Sequence, residues 1–141
     1  MIIGRRLLET RWWGPPADAA PTLVLLHEGL GCVALWRDFP EALAEATGCG
    51  VFAYSRFGYG GSDSVELPRP MHYMEDEALD VLPRVLDAAG VERAVLIGHS
   101  DGGSIAAVRS RPAPGLGRKP CLTHILRSAK IFMSTYVSAR N

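Results

Sequence analysis

After Asp101 the 141-residue chain contains no acidic residue, and before Lys119 it contains no lysine. Residues 1–108 hold eight Arg and all fifteen Asp and Glu, a net charge of −7, whereas residues 109–141 hold five Arg and two Lys, a net charge of +7. The overall neutrality therefore joins two unlike segments; such asymmetry can mark a basic tail for nucleic acid or anionic lipid, but an abrupt change of reading frame explains it more simply, and neither partner is expected. Cysteine is equally scarce. Cys32, Cys49 and Cys121 are odd in number and include no C-x-x-C pair, which excludes a disulfide framework and a thiolate metal motif and fits reduced thiols in the cytoplasm. No apolar run approaches the roughly 18 residues that cross a bilayer, and mean hydropathy is only +0.08. The opening Met1-Ile2-Ile3-Gly4-Arg5-Arg6 lacks an apolar segment after its basic pair, so no signal peptide is expected.

What is present alternates between strand and helix. Thr22 to His27 is a continuous apolar run, as expected of a strand buried on both faces of a parallel sheet. Val51 to Tyr54 and Ala94 to Ile97 read the same way, and Arg5 to Trp13 reads as an early strand. Trp36 to Thr47 carries Trp36, Phe39, Leu43 and Ala46 at helical spacing, and Gly48 closes it. Glu75 to Ala89 places Leu79, Leu82, Leu86 and Ala89 on one face, with Pro83 predicting a kink and the acids Glu75, Asp76, Glu77 and Asp80 on a solvated face near the helix start. Arg56 to Pro70 is a long Gly- and Pro-rich loop. Short connections between these elements predict βαβ units and an α/β fold. Gly58-Tyr59-Gly60-Gly61 is not a dinucleotide fingerprint, because Asp63 takes the third glycine's place and no helix opens there.

The chemistry centres on Gly98-His99-Ser100-Asp101-Gly102. A G-x-S-x-G match alone is weak in a chain with 15 Gly, but this one follows a buried strand and precedes the small-residue helix Gly103 to Ala107, the context of a serine held on a sharp strand-to-helix turn. Two more segments precede it in order: His27-Glu28-Gly29-Leu30-Gly31 after one strand, and Arg56-Phe57-Gly58-Tyr59-Gly60-Gly61-Ser62 after the next. On these three landmarks the first 108 residues resemble the α/β-hydrolase superfamily, closest to its small bacterial serine hydrolases. The resemblance implies a mostly parallel sheet with flanking helices. It also implies an esterase-like acyl-enzyme mechanism through Ser100 on a small ester-like substrate, without metal or cofactor. The oxyanion hole would use the backbone N–H of Asp101 and that of Gly29 or Leu30. Glu28 stands where the family has glycine, and its side chain is expected to point away from the hole. Gly98 and Gly102 are expected to let strand and helix approach closely.

The family's order of Ser, acid and then His finds no match here. His27 is expected to shape its loop, His99 lies on the wrong side of the elbow, His72 precedes Ser100, and His124 follows it with no acid available; Asp101 is a neighbour, not the triad acid. Arg56 is expected to brace its own loop. No triad acid and no triad His are therefore assigned. Similarity fades at Val108, and residues 109–141, basic and rich in Pro, Gly and Arg, read as a frameshifted or fragment-end tail. Leu122 to Val137 is mildly apolar and could form a helix. The expectation is a truncated α/β-hydrolase fold, residues 1–108, with later strands and cap missing, and with the strand Ala94 to Ile97 left as an open edge prone to self-association. Such a chain would be an inactive hydrolase, with a non-catalytic remnant or interaction module, or one half of a split enzyme, as alternatives.

Overall fold

Along Thr22–Leu26, Leu23 and Leu25 pack into one hydrophobic layer while Val24 and Leu26 pack into another, which is how a period of two buries a strand on both faces. The same division holds for Val51 and Ala53 against Phe52 and Tyr54, and for Ile97 against Leu96. The computed structural model describes residues 1–111 and 121–126. Strands β1 (Ile2–Ile3) and β2 (Arg6–Leu7) form a small antiparallel hairpin. Strands β3 (Thr10–Trp13), β4 (Thr22–Leu26), β5 (Gly50–Tyr54), β6 (Ala94–His99) and β7 (Cys121–Leu126) form one sheet in the order β3-β5-β4-β6-β7. Only β3 runs antiparallel to its neighbour. The early strand expected over Arg5 to Trp13 is thus two pieces belonging to different sheets.

Helix α1 (Phe39–Thr47) covers the face of Leu23, Leu25 and Val51 through Ala44. It starts later than the expected Trp36, because Val33–Trp36 forms a 3-10 turn and Arg37, with φ 50°, breaks the path before Pro40 opens the helix. The opposite face is covered by α2 (Tyr73–Asp76), a π-helical turn over Glu77–Val81, α3 (Leu82–Ala88) and α4 (Asp101–Arg109), with Leu82, Val85 and Ile105 fully buried against Val24 and Leu96. The kink expected from Pro83 takes the form of that wide turn. Proline has no N–H to donate and its ring crowds the carbonyl four residues back.

Three expectations need correction. Glu77 is buried, not on a solvated face: Tyr54, beneath it on β5, donates its hydroxyl to Glu77 Oε1 at 2.6 Å. The β6 edge is not open, because β7 pairs along it in parallel from Ala94↔Cys121 to His99↔Leu126. The segment Leu122 to Val137, read as helical, begins instead as that strand; its remainder lies outside the described residues. The physical reason for both changes is that Cys121-Leu122-Thr123-His124-Ile125-Leu126, short and uncharged apart from one histidine, satisfies the ladder groups that β6 would otherwise leave unpaired. No helix among the described residues is long and apolar enough to cross a membrane.

Candidate active site

Ser100 sits at the junction of β6 and α4 with φ 52° and ψ −115°, and its side chain is exposed. A non-glycine residue at positive φ is held there only by its surroundings, and two glycines supply them. A Cβ at Gly98 would overlap the backbone of Gly102, and one at Gly102 would overlap the carbonyl of Leu26 on β4. The chain therefore turns in a space that admits no side chain, and the serine is thrust outward. Its carbonyl accepts hydrogen bonds from Gly103 N at 2.8 Å and Ser104 N at 3.2 Å, so the helix begins immediately behind it. The first N–H groups of such a helix, Asp101's among them, have no intrahelical acceptor.

Beside this elbow stands the loop His27–Gly31. A Cβ on Gly29 would lie 3.1 Å from Asp101 Oδ2, so the two segments assigned to the oxyanion hole are neighbours. Leu30 is exposed. Glu28 Oε2 lies 3.2 Å from His99 Nδ1. With His27, Cys32 and Trp36 these two side chains line a small cavity of about 50 Å3.

Buried His27 has both ring nitrogens occupied. Nε2 accepts the backbone N–H of Arg56 at 2.9 Å, which places the ring proton on Nδ1, where it is donated to the carbonyl of Glu28 at 2.7 Å. Burial, reinforced by the Arg56 charge, holds its pKa down at about 4. A neutral ring with no free lone pair shapes the loop and cannot take a proton from Ser100. His72 lies on the surface, 3.3 Å from Asp76 Oδ2 and one helical turn from it. His124 belongs to β7, in register with Ile97. Arg56 grips more than its own loop: its guanidinium donates to the carbonyl of Glu28 at 2.7 Å.

Several contacts had no signal in the spacing of the sequence. Tyr73 donates its hydroxyl to Asp101 Oδ2 at 2.7 Å, and that bond is the main cause raising the phenol's pKa. Glu9, on the segment entering β3, accepts from Ser55 Oγ at 2.5 Å and Gly61 N at 3.0 Å, while Ser55 Oγ in turn accepts Val33 N at 2.8 Å. These residues come from distant stretches of the chain, so only the folded chain brings them together. Among the described residues no group of three or more His, Cys, Asp or Glu is gathered as for a metal ion.

A family model described as alpha/beta hydrolase fold matches residues 21–109. Epoxide hydrolase B of Mycobacterium tuberculosis is 35% identical over 92 residues, covering 65% of this chain and 25% of that protein. A protein of Azorhizobium caulinodans, provisionally named carbamate hydrolase RutD, is 40% identical over 96 residues, covering 67% and 34%. The chain thus spans about a quarter to a third of the length of these curated relatives. Among solved structures, MGS-M2, an alpha/beta hydrolase enzyme from a Medee basin deep-sea metagenome library, superposes with a TM-score of 0.68 at 18% identity, over 87% of this chain and 42% of that one.

Proposed function

This chain belongs to the alpha/beta hydrolase family, and on that premise we propose that it carries the nucleophile and oxyanion hole of a serine hydrolase. The observation that carries this reading is Ser100 itself, exposed at φ 52° on a turn that Gly98 and Gly102 leave no room to relax. In the proposed reaction Ser100 Oγ attacks the carbonyl carbon of a small ester-like substrate, and the resulting oxyanion accepts hydrogen bonds from Asp101 N–H and from Gly29 or Leu30 N–H. Collapse expels the alcohol and leaves an acyl-enzyme, which water then hydrolyses. The curated relatives are named for epoxides and for carbamates, and the proposed substrate is a small ester-like molecule. A cytoplasmic setting agrees with the three dispersed cysteines.

These 141 residues do not complete a triad in the family's order, since no Asp or Glu follows Asp101. His27 is committed to Arg56 and Glu28, and His99 is turned to Glu28. Turnover by the chain alone is therefore proposed to stay at what the hole and binding supply, at most about 10³–10⁴-fold over water. Prolonged exposure to a fluorophosphonate probe, with intact-mass and peptide mapping, tests the assignment. Slow modification at Ser100 that disappears in Ser100→Ala supports it; modification elsewhere, or none, favours a non-catalytic remnant. Hydrolysis of p-nitrophenyl acetate is expected to be equal in the two chains. A rate well above that of the alanine variant would mean that a histidine has been recruited as base.

A further inference from the structure

The two donors assigned to the oxyanion hole arrive on different segments, one on the loop after β4 and one on the elbow after β6. A hole works only if such donors are held to within about 0.5 Å. We infer that Arg56 is the positioning residue that holds them: its buried guanidinium ties the Glu28 carbonyl, in the loop of Gly29 and Leu30, to the carboxylate of Asp101 on the elbow. The inference rests on the reading of Ser100 and Asp101 given above, and deepens it.

Arg56 lies two residues past the end of β5, the strand next to β4, and is only 1% exposed. Its backbone N–H and its guanidinium reach the His27–Gly31 loop at two points, His27 Nε2 at 2.9 Å and the Glu28 carbonyl at 2.7 Å. The same Nη2 stands 3.9 Å from Asp101 Oδ2, while Tyr73 holds that oxygen from the other side at 2.7 Å. Glycine at position 29 leaves the room in which this carboxylate sits. Tyr59 completes the packing, edge-on to His27 and under the Arg56 guanidinium at 5.3 Å in both cases.

Charge explains why an arginine is needed there. Asp101 puts a carboxylate beside the place where an oxyanion would form, and two like charges in a partly dry site oppose each other strongly. The Arg56 cation offsets that carboxylate. Conversely, a guanidinium removed from water is costly without an anion nearby, and Nη1 has no hydrogen-bond partner among the described residues. Each group makes the other tolerable, and the two segments are held together as a consequence.

The test uses the full chain and does not depend on whether Ser100 reacts. His27 is faced by Arg56, Arg69 and Asp101 as charges, by Tyr59, and by the Glu28–His99 pair at the loop surface, so its titration by NMR reports the clamp. The His27 midpoint, about 4 in the parent, should rise by about one pH unit in Arg56→Met and fall in Asp101→Asn. Arg56→Lys should keep the low midpoint, because the charge stays, but lose the two-ended grip. Hydrogen exchange read by mass spectrometry should then accelerate at least about tenfold in peptides covering residues 27–31 in both Arg56 variants, with β4 and β6 still protected. The Arg56→Met/Asp101→Asn double variant should recover part of that protection. A His27 midpoint unmoved in both Arg56→Met and Asp101→Asn, unchanged exchange over 27–31 in the Arg56 variants, or acceleration spread equally through β4, β5 and β6 would overturn the inference. Where Arg56→Met fails to fold, Arg56→Lys and Asp101→Asn decide it. Failure of the fluorophosphonate reaction alone would count against Ser100 as nucleophile and leave this result standing.

Discussion

Gly102 on α4 stands directly against the carbonyl of Leu26 on β4, with no space between them for a methyl group. That contact seats the first turn of the helix on the central strand of the sheet and fixes the angle at which Ser100 is presented. Gly102→Ala should therefore push helix from strand. Because the obstacle is backbone, no rotamer relieves it, and the cost is expected at about 1–3 kcal/mol. Chemical denaturation monitored by tryptophan fluorescence would measure it. Peptide mapping after the fluorophosphonate probe should also show loss of modification at Ser100. A variant as stable as the parent would mean that the helix start is free to move.

Ser100 stores part of its own turn's strain. At φ 52° and ψ −115° a side chain is unfavourable and glycine is not. Ser100→Gly is thus expected to be more stable than Ser100→Ala, by about 1 kcal/mol, which reverses the usual penalty for glycine beside a helix. Paired denaturation curves of the two variants decide the matter, and alanine proving the more stable would show that the elbow is relaxed.

The buried pair of Tyr54 and Glu77 should make stability depend on pH. Burial, as the largest cause, raises the Glu77 carboxyl above its ordinary 4.5, against the lowering effects of the Tyr54 bond and the charges of Arg56 and Arg69. A raised acid means that the folded state binds its proton more tightly than the unfolded state does. The stabilising contribution is present in full below about pH 4.5 and is lost as pH rises through the folded-state value. Glu77→Gln keeps a side chain of the same shape and an oxygen for the Tyr54 hydroxyl, but cannot ionise. Its stability relative to the parent should grow as pH rises from 4 towards neutrality. Denaturation midpoints of both chains across that range would show the divergence, and a constant difference would contradict it.

The sheet was legible where period and burial agree. Thr22 to His27 reads as a strand because Leu23 to Leu26 are all apolar, and a parallel strand covered on both faces needs little else. The elbow was legible for a similar reason, since Gly98 and Gly102 are local answers to a close approach that the sequence flanks announce. Glu77 was not. Its neighbours Glu75, Asp76 and Asp80 give it the look of a solvated helix face, and only the partner from β5, 23 residues away, makes burial affordable. Tyr73 on Asp101 and Glu9 on Ser55 are equally long-range, and a single-sequence period cannot register a contact between distant segments. The 3-10 turn at Val33–Trp36 was missed because Trp36 and Phe39 carry helical spacing across Arg37, whose positive φ leaves no mark on hydrophobicity.

The last prediction concerns the sheet edge. β6 carries Ser100 at its C-terminal end and has parallel neighbours on both sides, β4 and β7. A chain ended at Arg111 would lose β7 and leave β6, uncharged from Ala94 to Gly98, with one row of ladder groups unpaired. Such an edge is a template for a second chain. It also withdraws a packing partner from α4, whose first turn holds the elbow. The shortened chain is therefore expected to unfold at lower denaturant concentration than residues 1–141, and to sediment as dimers and larger species at concentrations where the longer chain is less associated. Sedimentation velocity at several loading concentrations, with denaturation of the same samples, would test both effects. Identical stability and an unchanged sedimentation distribution would mean that β7 does not protect the nucleophile strand in solution.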